Sequence, residues 1–401
     1  MSALDAKGKG GGAVERERVE LQLATSKFSS LVGTSIFNVF INVWVIDTFG
    51  SARVLSHVLS IAGVSSLLFS FLGATISKKL YFIKAIRYAD GLSAIFCLIA
   101  DVLLLTTNYR LPILLALVFT LNMNVAMTGP SLKRLIGIAV SKDRIIGFNA
   151  VISTGTETIK VVMPMLTTFL YTNHWLSLIG TITLNGISFF ISFLFIRGIW
   201  CESESLSDGN GVTYKSAFVY MLKAPLLAYL IIAGFFSNIF LSGYTLIIPT
   251  IAINNFHDHS LYGLIVSIES AAAILGLLSI RYIHIDEQIS RERWGLIVGG
   301  LSVGVTGIFL TKEAFMLTSF ILGFFYARYN VGLQSYIQIN VRNELIGYFF
   351  SMIFICASIA VPIGSTLFGL IIDQHAIEAL AIISAGITVI NAIWFVLISR
   401  R

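Results

Sequence analysis

Apolar runs long enough to cross a bilayer recur twelve times along the chain. They lie at roughly 22–47, 53–77, 85–107, 111–138, 147–172 and 175–198, then at roughly 225–253, 261–281, 294–311, 315–340, 346–372 and 377–399. Each is near the ~20 residues that a helix needs to span the hydrocarbon layer. No run alternates as a barrel strand would, and lipid leaves backbone groups unsatisfied in anything else, so the runs are predicted as helices. The longest polar break is Trp200 to Lys223, with Glu202, Glu204 and Asp208 followed by Gly209 and Gly211. Tyr214 to Lys223 within it is expected to form a short helix on the membrane surface. The pattern predicts an all-α polytopic membrane protein: a tail over 1–21, a six-helix bundle over 22–199, a central loop over 200–223 and a second bundle over 224–401.

Composition sharpens the picture. Hydrophobic residues make up 56% and charged ones 12%, against about 25% charged in soluble domains, so a lipid bilayer is the expected solvent. The net charge of +6 is organised by topology. Arg53, Arg110 and Lys312 fall on one side, Lys160 and Arg328 within spans, and the other 22 of the 27 Lys and Arg on the opposite side. That asymmetry places both termini and the central loop in the cytoplasm of a cell-membrane protein, and it removes nucleic acid as the reason for the basic excess. The mixed-charge stretch Arg281 to Arg293 is expected to be a solvated loop.

Other function classes find little support. The early Lys-Gly-Lys-Gly-Gly-Gly is a flexible tail, since a phosphate loop needs Gly-x4-Gly-Lys-Ser/Thr between strand and helix. No signal peptide is read at the start. The three cysteines have no partner at metal-site spacing. His257, Asp258 and His259 cluster in an external loop, but three candidate ligands on a mobile loop make a poor site, so no metal and no cofactor are expected. No nucleophile stands with its base at a recognisable spacing, so an enzyme is not expected. A receptor or assembly subunit would need a larger soluble surface than the central loop offers.

The halves repeat weakly. An offset of 201 residues sets Val140 on Val341, Asp143 on Glu344 and Ile145 on Ile346, each stretch leaving one span and entering the next. Duplicated halves of this kind put a substrate site at their interface near mid-membrane. The stretch Tyr336 to Asp373 carries Gln338, Val341, Glu344, Gly347, Pro362, Gly364, Gly369 and Asp373, with Arg342 at a turn position. Val140, Asp143, Asn149, Ala150, Lys160 and Pro164 form a second set. Through these residues the chain resembles the branch of the major facilitator superfamily that includes macrolide-efflux and enterobactin-exporter proteins. The resemblance implies alternating access and export of a drug-like or siderophore-like compound, with the protein acting as a monomer. It also implies a cytoplasmic gate at Gly73, Lys78, Lys79 and Glu344. Lys78 stands at or beside the position of the usual Asp, and Met163, Thr167 and Thr168 replace the usual glycines of the antiporter signature.

Ionisable residues inside spans are expensive and normally paired or functional. Six lie away from span ends: Asp90, Asp101, Glu157, Lys160, Glu269 and Arg328. Asp90 and Asp101 are eleven residues apart, about 16 Å along one helix face. Glu157 and Lys160 are spaced to pair at i,i+3. Four acids against two bases leave carboxylates without an internal cation, so Glu269 first, then Asp101, with Asp90 and Glu157, are the proton-coupling candidates. A neutral acid in an interhelical hydrogen bond is the alternative for each. Arg328, near Tyr326, Tyr329, Asn330 and Gln334, is either a site cation facing the substrate, a partner of Glu269, or half of a structural ion pair. Interior charge of both signs would suit an anionic or zwitterionic substrate. Asn38, Asn42, Asn122, Asn124 and Asn238 complete the substrate-cavity candidates with Lys160, Asn330 and Gln334; helix–helix hydrogen bonding is equally open to them. The expected function is proton-coupled efflux of an amphiphilic organic compound, with uptake or uncoupled transport as the rival.

Overall fold

A computed structural model describes residues 11–78, 82–140, 144–199, 219–221, 223–280 and 285–399. Every regular element among them is helical: α1 (Gly11–Phe49), α2 (Ala52–Lys78), α3 (Phe82–Thr106), α4 (Arg110–Ala139), α5 (Ile145–Thr172), α6 (Leu178–Arg197), α7 (Pro225–Asn254), α8 (His259–Ser279), α9 (Ile285–Phe309), α10 (Lys312–Asn340) and α11 (Asn343–Ser399). α11 runs 57 residues, but His375 leaves helical geometry (φ −141°, ψ 57°) and divides it into two arms. The described chain therefore supplies twelve crossing segments. Eight of its helical runs pass as membrane spans on length and composition, the last of them, Met352–Val396, holding 45 residues and both arms. The crossings outside that set, α5, α9 and α10, include Glu157 and Lys160, Glu292 and Arg293, and Arg328.

Local chemistry sets several of the turns. Gly50 takes φ +63° between α1 and α2, a left-handed conformation that is easy without a Cβ. Ser177, Asp258 and Thr311 cap α6, α8 and α10 by accepting from the backbone N–H groups of Gly180, Leu261 and Ala314. Pro225 sits in the first turn of α7, where its missing N–H costs nothing.

Two of the sequence-based boundaries move. α1 starts at Gly11, so part of the expected tail continues the first helix. The expected loop Arg281 to Arg293 is helical from Ile285, and Glu292 and Arg293 are 1% and 0% exposed. Adding those turns to α9 buries the last two charges of a stretch that reads as solvated. Most of the central loop, with its expected surface helix, lies outside the described residues.

The chain divides into two units. One comprises Met1–Ile41 and Ile61–Ser207, the other Asn42–Ser60 and Asp208–Arg401. In the first, α3 packs on α4 and α6, over a core of Leu23, Ile86, Leu135, Phe148 and Ile196. In the second, α7 and α9 pack on α11, and α10 packs on α8 and α9. The core there includes Leu230, Leu296, Tyr329, Leu333, Phe349 and Trp394. The tip of the α1–α2 hairpin, Asn42–Ser60, is part of this second unit.

Candidate functional site

The second unit holds a cavity of about 230 Å³ lined by Glu269, Asn238, Tyr244, Thr245, Tyr326 and Ser365, with Leu59, Leu241, Leu322 and Val361 among its apolar wall. Close packing of α8 on α10 positions the acid. Gly323 lies so near Glu269 that an added Cβ would strike its carbonyl oxygen, and at Gly276 it would strike that of Phe324. Glu269 has no ion pair and no hydrogen bond among the described residues. Ser365 Oγ is likewise without a partner among the described residues, while the other polar neighbours are engaged. Tyr326 donates to Asn238 Oδ1 at 2.9 Å, and Asn238 Nδ2 donates to the Gly234 carbonyl at 2.7 Å. The Tyr244 and Ser319 hydroxyls share a hydrogen bond of 2.8 Å.

Arg328 does not face this cavity's acid. Its Nε lies 3.0 and 2.9 Å from the two carboxylate oxygens of Glu292, its Nη2 lies 2.6 Å from Oε1, and Nη1 donates to the Ser279 hydroxyl. Both side chains are buried, at 7% and 1% exposure. Of the roles open to Arg328 in the sequence, the geometry selects the ion pair, with an acid that reads as part of a loop. The adjacent Arg293 is fully buried, with no carboxylate partner among the described residues. Nη1 donates to Asn391 Oδ1 at 2.6 Å and Nη2 to the Tyr329 hydroxyl at 2.8 Å. Its guanidinium lies 5.3, 4.7 and 5.6 Å from the ring centres of Tyr229, Tyr329 and Trp394, a cation–π arrangement. Sequence reasoning missed both Glu292 and Arg293. Extending the 3.6-residue period back from Leu296 and Gly299 is the signal that would have found them.

In the first unit Asp90 and Asn124 meet. Asn124 Nδ2 donates to Asp90 Oδ1 at 3.1 Å, the Ser192 hydroxyl donates to Oδ2 at 2.5 Å, and Ser192 shares a 2.8 Å bond with Ser26. Lys27 also acts on this carboxylate through its charge. Asp101 accepts from Thr183 at 2.7 Å, while its other oxygen is buried without a partner among the described residues. Glu157 and Lys160 pair at 2.8 Å, half-exposed, as their spacing leads one to expect. Asn122 bonds the Val118 carbonyl of its own helix. Asn38 and Gln334 are exposed. Asn42 donates to the Tyr262 hydroxyl at 2.8 Å, and Asn330 is hydrogen-bonded to Tyr326. Lys79 lies outside the described residues, as do the side chains of Lys78 and Glu344 and the surroundings of Gly73.

The hairpin tip is fastened to the rest of its unit by polar contacts. Asp373 accepts from the Ser51 hydroxyl and the Ala52 N–H, each at 2.5 Å, and from the Arg53 N–H at 3.3 Å, so it caps α2 from α11. His259 Nε2 lies 2.8 Å from Asp47, and Asn254 donates to the Gly50 carbonyl. Nearby, Asp258 feels burial, which would raise its pKa. Hydrogen bonds from Lys312, Ser260 and the Leu261 N–H, together with the Lys312 charge, outweigh it and hold the carboxyl below its ordinary value.

The helical architecture has counterparts among solved structures. The chain is similar to the nucleoside transporter NupG at 13% identity over 94–95% of its length and 99% of that chain, with TM-score 0.72 in the better-covered match. It is similar to the peptide transporter POT in complex with sulfate (11% identity, 96% and 94% covered, TM-score 0.73). A bacterial homologue of the iron transporter ferroportin in an inward-facing state is also similar (14% identity, 94% and 98% covered, TM-score 0.71). At such identities the likeness speaks for the fold alone. No curated protein matches the chain. The family model described as Major Facilitator Superfamily matches residues 23–365, and the chain belongs to that superfamily. It is a multi-pass membrane transporter of a small molecule, not an enzyme.

Proposed function

We propose that the protein is a proton-coupled exporter of an amphiphilic organic compound, working by alternating access in the cell membrane with both termini cytoplasmic. The observation that carries this is Glu269, a carboxylate with no ion pair or hydrogen bond among the described residues, in a cavity lined by two tyrosines and the Asn238 amide. The charge of such a group can be neutralised by a proton or by a cationic group of the substrate, so it is suited to exchange one for the other. Because Arg328 is held by Glu292, the cavity has a single acid and no cation among its lining residues. The anionic or zwitterionic substrate expected from mixed interior charge gives way to one with a neutral or cationic polar group beside an apolar body. Export, rather than uptake, follows the resemblance carried by Tyr336 to Asp373.

The test is accumulation of ethidium and of a fluorescent macrolide conjugate in cells making the wild type or Glu269→Gln. Lower accumulation, abolished both by a protonophore and by the substitution, is the expected result. Higher accumulation, or lower accumulation indifferent to the protonophore, refutes the reading.

A further inference from the structure

A second cavity lies next to the first, toward the C-terminal end of α10. It measures about 30 Å³, and roughly 10–15 Å³ of such space holds one water molecule. Asn238 and Tyr326 line both cavities, so their hydrogen bond stands between them. The small cavity is also lined by Ser237, Tyr329 and Asn330. Ser237 is 4% exposed, and its hydroxyl has no partner among the described residues. The Tyr329 oxygen accepts from Arg293, which leaves its own O–H to donate elsewhere. A buried hydroxyl with nothing to bond is a destabilising feature that water ordinarily relieves when polar partners surround the space. Both conditions are met here.

We infer that this cavity binds one or two water molecules, held by Ser237, Asn330 and Tyr329, and that this water is a proton relay to Glu269 through the Tyr326 hydroxyl. The inference rests on the proton-coupling reading above. In the resting arrangement the Tyr326 proton is directed at Asn238 Oδ1, and an amide oxygen passes nothing on. When Tyr326 turns from Asn238 toward Glu269, its hydroxyl gives up one proton and receives one from the bound water. The tyrosine ends unchanged, Glu269 gains a proton, and the water is resupplied with one from the inner side. Ser237 and Asn330 are positioning residues in this scheme, and the Tyr326–Asn238 bond is its switch. Besides Glu269, the titratable groups facing the two cavities are Tyr244, Tyr326, Tyr329 and Cys356, with Arg293 behind Tyr329.

The full-length protein in lipid nanodiscs allows two independent readings. X-ray hydroxyl-radical footprinting marks side chains beside bound water. It is expected to label Tyr329 and Cys356, and to do so roughly fivefold less in Asn330→Leu, which fills the space. The infrared carboxyl band lost in Glu269→Gln is expected to exchange its proton for deuterium about tenfold more slowly in Asn330→Leu and in Tyr326→Phe. Ser237→Val gives the same readout if Asn330→Leu does not fold. An unlabelled wild-type cavity overturns the bound water, and unchanged exchange in both variants overturns the relay. A Glu269 band that never titrates overturns proton coupling and the relay together, while the footprint still reports the water by itself.

Discussion

Two regions of the second unit, a few residues apart along α10, treat buried charge in opposite ways. Around Arg328 and Arg293 every guanidinium is bound, the first by a carboxylate and the second by an amide, a phenol and three aromatic faces. Around Glu269 the tyrosines and Asn238 bond to other groups, and the acid is left without a partner among the described residues. A satisfied pair resists change, because removing either partner strands the other in a medium of low dielectric constant. An acid without a partner has no such restraint, and on the proposed function its charge state would answer to whatever enters the cavity. The ion pair joins α9 to α10, and Glu269 sits on α8 where that helix packs against α10.

Stability should separate the regions most sharply. Arg328→Met leaves Glu292 buried and alone, and thermal unfolding of the purified protein should show a loss of about 3–5 kcal/mol. Adding Glu292→Leu should restore most of it, and failure to do so would mean that Arg328 acts on something beyond Glu292. Glu269→Gln should do the reverse. Its unfolding should shift by less than about 0.5 kcal/mol, while protonophore-sensitive transport should fall about a hundredfold, or about 2.7 kcal/mol. Equal damage to both properties would erase the distinction.

Asp90 offers a control from the other unit, since its carboxylate is a hydrogen-bond acceptor for Asn124 and Ser192. Asp90→Leu should cost about 1–3 kcal/mol in stability by stranding those donors. Asp90→Asn should recover part of it and keep transport coupled to protons, measured in proteoliposomes with an imposed pH gradient; loss of coupling there would move the proton site to the first unit. The smallest effect belongs to the outer turn. Asp258 has a lowered carboxyl pKa, so its contribution is present above its ordinary value near 3.8 and is lost as pH falls through the folded value. Lys312→Met should remove less than about 1 kcal/mol at neutral pH, because the pair is partly exposed. The difference from wild type should shrink in unfolding curves as pH is taken down from 3.8 through the folded value.

Hydropathy, the asymmetry of Lys and Arg, and the short outer turns were enough to read the helices, their number and the transporter architecture, because a bilayer imposes those constraints on every span locally. The same sequence showed six of the charges inside spans and the i,i+3 pair of Glu157 with Lys160. It did not show which groups on distant helices pair. Glu292 and Arg293 read as loop residues because charge at the end of an apolar run looks solvated, and only the packing of α9 on α10 and α11 buries them. That packing takes Arg328 away from Glu269, and the close approach at Gly276 and Gly323 sets the acid against the cavity. Pairing depends on which faces of distant helices meet, a property that no local window of sequence contains. Six interior charges were therefore legible in the chain, while the burial of Glu292 and Arg293 and the choice of which distant groups pair were made by the fold.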